Sequence, residues 1–81
     1  LYEEALNSIK HAVKVCPTSI EMWDSYLTLS LKLSQWFEAS YAIEKIKQLN
    51  HNFDLSGQVE YLKSNCNNEH ILQLLQNNNS L

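Results

Sequence analysis

The chain has 81 residues and a net charge of −3, and all six of its cations are lysines. So little positive charge, with no arginine to fork onto phosphates, argues against direct nucleic-acid binding. No apolar run approaches the ~20 residues a membrane-spanning helix needs. A single glycine and a single proline are too few to punctuate a sheet, so an all-α fold with short connections is expected.

The chain opens in a periodic helix over residues 2–15. Ala5, Ile9, Ala12 and Cys16 form a stripe at spacing 4, 3, 4, which Leu6 and Val13 widen. Glu3 and Glu4 in the first turn and Lys14 in the last suit the helix dipole. Pro17 stops the helix, because the residue before a proline disfavours helical geometry. Thr18-x-x-Glu21 reads as a capping box for helix two, which carries Ile20, Trp23, Tyr26, Leu27, Ser30 and Leu33. Leu29 and Leu31 lie off that stripe, as in a helix covered on two sides.

Ser34 and Gln35 make the next turn. Helix three, over residues 36–49, turns Trp36, Ala39, Ala42, Ile43, Ile46 and Leu49 inward and Glu38, Glu44, Lys45 and Lys47 outward. The Asn50-His51-Asn52 cluster ends it. A fourth helix is expected over 54–64, with Leu55, Val59 and Leu62 on one side. A fifth is expected over 68–76, with Ile71, Leu72, Leu74 and Leu75 and with Asn67 as its cap. The Asn-rich tail, 77–81, is expected to fray.

A 34-residue echo runs through this order: Ala5 recurs as Ala39, Ile9 as Ile43, and Ala12 as Ile46. With Pro17, Trp23, Tyr26 and Leu27, these residues resemble the tetratricopeptide repeat (TPR), whose pattern runs W-x2-L-G-x2-Y, A-x3-F, P. Ser30, His51 and Leu27 depart from it. They stand where an aromatic, a proline and a small residue are usual.

The run Trp23-Asp24-Ser25-Tyr26-Leu27 followed by Glu38-Ala39 is similar to the last repeats of the tetratricopeptide repeat protein twenty-seven family, large helical scaffolds with no known enzymatic site. A competing resemblance is to the half-a-TPR (HAT) repeat, through Trp23-x-x-Tyr26 and Ala39-x3-Ile43-Glu44-Lys45. That reading implies a scaffold subunit of an RNA-processing complex.

The resemblance implies a TPR-like α-α superhelix of about five antiparallel helices. Residues 1–76 form the helical-repeat unit: 1–17 the second helix of one repeat, 18–50 a complete repeat, and 51–76 a divergent or capping pair. The expected core is Ala5, Ile9, Ala12, Trp23, Tyr26, Leu27, Ala39, Ile43 and Ile46. The implied function is non-enzymatic scaffolding, with a partner helix or extended peptide in the concave groove. The groove-facing residues would be Glu21, Asp24, Ser25, Thr28, Leu31 and Lys32. The carboxylates of Glu21 and Asp24 would repel an acidic chaperone tail.

No catalytic, cofactor or metal site is expected. Cys66 and His70 are four residues apart, but two ligands are too few for structural zinc. His11 and His51 have no acid or nucleophile near them in sequence. Tyr41 and Tyr61 fall off the main stripes and are candidates for exposed contacts, and Lys10, His11 and Lys14 form a small basic patch. The two cysteines show no framework spacing, which points to a cytoplasmic or nuclear setting. Leu1 is not an initiator, so the chain reads as part of a longer protein whose adjacent repeats would pack against it.

Overall fold

Among the described residues the chain forms five helices joined by connections of three to six residues: α1 (Tyr2–Val15), α2 (Ile20–Lys32), α3 (Trp36–Leu49), α4 (Ser56–Asn65) and α5 (Glu69–Asn79). The computed structural model describes residues 1–79, with side chains through Gln76. It contains no strand among those residues. The expected fraying of 77–81 concerns residues largely outside the described set, and α5 itself extends to Asn79.

Local chemistry sets the helix ends. Ser19, not Thr18, caps α2: its backbone is extended (φ −86°, ψ 107°) and its Oγ accepts the Met22 N–H at 3.3 Å. Thr18 is held in the turn that follows Pro17. At the other end Ser34 takes φ +56°, the left-handed conformation that closes a Schellman motif. Its N–H donates to the Leu31 carbonyl at 3.2 Å, and the Gln35 N–H donates to the Ser30 carbonyl at 2.8 Å.

Asp54 stands two residues ahead of α4, where its Oδ1 accepts from the Ser56 N–H (3.0 Å) and hydroxyl (2.7 Å). The Ser56 N–H first, and then its hydroxyl, hold the Asp54 carboxyl below the usual range. Asn68, rather than Asn67, caps α5, its Oδ1 accepting from the His70 and Ile71 N–H groups.

α1 and α3 pack on either side of α2. Trp23 meets Tyr41 while Tyr26 meets Glu38, a pairing that runs α2 and α3 antiparallel. Ala39 and Ala42 are fully buried, which lets the two backbones approach closely. Leu27 is also fully buried, so the small residues that permit close approach lie on α3 rather than at position 27. Beyond this hairpin α3 meets α5 more extensively than α4. One continuous core runs from Leu6 to Leu75 and takes in Leu55, Val59, Leu62, Cys66 and Ile71. The radius of gyration, 11.9 Å, is that of a compact domain of this length.

Several expected positions are corrected. Ala5 and Cys16 are exposed, Ile9 and Ala12 are half-buried, and α1 buries Leu6 and Val13 instead. The two stripes adjoin on the helix. Where one face is covered, the bulkier side chains remove more apolar surface from water, at roughly 25 cal/mol per Å². Leu49 is exposed and Trp36 only half-buried. Glu38, Lys45 and Lys47 are half-buried rather than turned outward, and the Lys47 Nζ donates to the Phe53 carbonyl at 3.0 Å.

Candidate functional site

The six residues expected to face a groove lie on one side of α2, because a helix turns about 100° per residue and these fall within one arc. Only the C-terminal three share a concavity. Thr28, Leu31 and Lys32 face Gly57, Gln58 and Tyr61 of α4 across a groove of about 420 Å³. Glu21 and Ser25 are exposed and Asp24 half-buried nearer the start of α2, and none of them borders this groove. The lining carries a single charge, Lys32. Glu21 and Asp24, the carboxylates expected to repel an acidic tail, lie outside this lining.

Aromatic contacts hold its walls. The Trp36 ring lies 6.3 Å from that of Tyr61, tying the start of α3 to α4. The Lys32 ammonium stands 5.4 Å from the centre of the Tyr2 ring, which fixes the far end of α2 against α1. Tyr61 remains 48% exposed, so about half of its surface faces solvent.

Gly57 opens the floor. A Cβ built there meets nothing within 4 Å. The 34-residue period calls for a bulky residue at this position, and its absence leaves room beside Tyr61. Gly57, Gln58 and Tyr61 come from the segment where the echo fades. Of these, the sequence marked two: Tyr61 by its place off the apolar stripe, and Gly57 by standing where the period calls for a bulky residue.

Trp23 and Tyr26 are core residues. The Trp23 indole N–H donates to the Pro17 carbonyl at 2.8 Å. Cys66 is buried with its thiol 4.0 Å from the Asn68 carbonyl, while His70, His11 and His51 are exposed. Among the described residues no three His, Cys, Asp or Glu side chains gather in a metal-binding group. Nor is any helix among them long and apolar enough to cross a membrane. Comparison with protein-family models, with curated proteins and with solved structures finds no match.

Proposed function

We propose that this chain is a non-enzymatic protein–protein interaction module of the tetratricopeptide-like kind, with the α2–α4 groove as its partner surface. The observation that carries the reading is the groove itself. It lies between α2 and α4, and Leu31 and Tyr61 offer apolar surface there beside the unfilled space at Gly57. A partner helix or extended segment would lay apolar side chains against Leu31 and Tyr61 and meet Lys32 at one end. On this reading the module belongs to a larger scaffold in the cytoplasm or nucleus, in keeping with two unpaired cysteines.

The test is affinity capture with the parent chain and with Gly57→Leu. A side chain at position 57 enters open space, so the variant should fold while its groove is filled. A protein retained by the parent and lost with Gly57→Leu supports the reading. An identical set retained by both contradicts it.

A further inference from the structure

A second concavity of about 490 Å³ lies on the opposite side of α2, in the trough between α1 and α3. Its volume is within the ~300–1,000 Å³ of ligand pockets. The floor is apolar. Trp23 and Tyr41 meet edge-to-face there, with centroids 5.5 Å apart and planes at 76°, and Val13 and Leu49 complete it. The rim is cationic, with Lys10 and Lys14 from α1 and Lys45 from α3.

The one carboxylate in the lining, Glu38, is already engaged. It accepts the Tyr26 hydroxyl at 2.6 Å and pairs with Lys10 at 3.5 Å. That is the only ion pair among the described residues, so the Lys14 and Lys45 ammoniums stand without a carboxylate partner. Lys45 is held over the Tyr41 ring at 5.5 Å. Three lysines against one glutamate make this recess positive on a chain whose net charge is −3.

We propose that this recess binds an acidic peptide segment through one apolar anchor side chain, seated on Trp23 and Tyr41, with flanking carboxylates on Lys14 and Lys45. Charge complementarity selects the anion. The aromatic floor selects against a bare anion, which would lose its hydration there without gaining apolar contact. A peptide suits the shape because α1 and α3 both run antiparallel to α2. Their trough admits an extended backbone while one side chain drops into the recess. The site is distinct from the α2–α4 groove and shares no lining residue with it.

The test is titration of the isotope-labelled 81-residue chain, followed by NMR, with three blocked pentapeptides: Glu-Glu-Leu-Glu-Glu, the same with serine for leucine, and Lys-Lys-Leu-Lys-Lys. The first should shift the amides of Lys14, Tyr41 and Lys45 saturably. The serine peptide should bind at least tenfold more weakly, and the lysine peptide should leave these amides unmoved. The double variant Lys14→Gln, Lys45→Gln should melt like the parent and bind the first peptide at least tenfold more weakly. Absence of saturable shifts up to about 5 mM peptide, a weak affinity by any standard, overturns the proposal. So do shifts centred on Thr28, Gly57 and Tyr61, equal binding of the serine or lysine peptide, or undiminished binding by the double variant.

Discussion

The Tyr26 hydroxyl donates a 2.6 Å hydrogen bond to Glu38, linking α2 to α3 across the hairpin. Burial first, and then the hydrogen bond and charge of Glu38, push the Tyr26 pKa above its ordinary value of 10.0. The folded value is raised, so this contribution is fully present below about pH 10 and is lost as pH rises through the folded value. Tyr26→Phe should destabilise the chain by about 1–2 kcal/mol at neutral pH. That gap should narrow as pH rises beyond about 10, because only the parent's unfolded state then gains by ionising this tyrosine. Urea unfolding of both proteins across pH 8–11 checks this, and a constant gap contradicts it.

Trp23 joins the hydrophobic core to the α1–α2 turn through its bond to Pro17. Trp23→Ala should cost about 3–5 kcal/mol. An 81-residue domain has roughly 4–12 kcal/mol in all, so the loss should lower the melting temperature by at least about 12 °C. Circular dichroism during a thermal melt measures it, and an unchanged melt would place Trp23 outside the core.

Ser30 is fully buried, and its hydroxyl has no hydrogen-bond partner in the protein. A buried hydroxyl left unpaired costs about 1–3 kcal/mol, and alanine is also the better helix former. Ser30→Ala should therefore raise stability by about 1 kcal/mol, which is roughly 4–8 °C in melting temperature for a domain of this size. A lowered melting temperature would mean that the hydroxyl has a partner.

Gly57 occupies the first turn of α4 with no neighbour in reach of a Cβ and no positive φ. Gly57→Ala should stabilise by about 0.5–1 kcal/mol through helix propensity alone. Denaturant unfolding reads the change, and destabilisation would show that a side chain collides with something at the groove floor.

The helices were legible because their periodic signal is local. Pro17, the Ser34-Gln35 turn and the Asn50-His51-Asn52 cluster place the first three helices to within a residue or two. What periodicity leaves open is which of two adjoining stripes the neighbour covers. The echo points to Ala5 and Ala12, whereas packing on α2 favours Leu6 and Val13. Caps shift by one residue for a similar reason: Thr18 beside Ser19 and Asn67 beside Asn68 carry the same chemistry, and backbone geometry chooses between them.

The face of α2 was readable as a face, but its partition was not. Thr28, Leu31 and Lys32 become a groove only because α4 sits opposite, and α4 falls where the repeat signal fades. Lys45 and Glu38 read as solvated charges in sequence. Their place beside Tyr41 and Tyr26 depends on contacts between helices that no spacing encodes.

The most direct test of the α2–α4 groove as a partner surface is site-specific photo-crosslinking in cells. A photoreactive residue would replace Gln58 in the groove or, separately, exposed Glu60, which lies outside it. The groove reading predicts a discrete crosslinked partner from position 58, none from position 60, and loss of the product when Gly57→Leu is added. Equal products from both positions, or a product at 58 that survives Gly57→Leu, would contradict it.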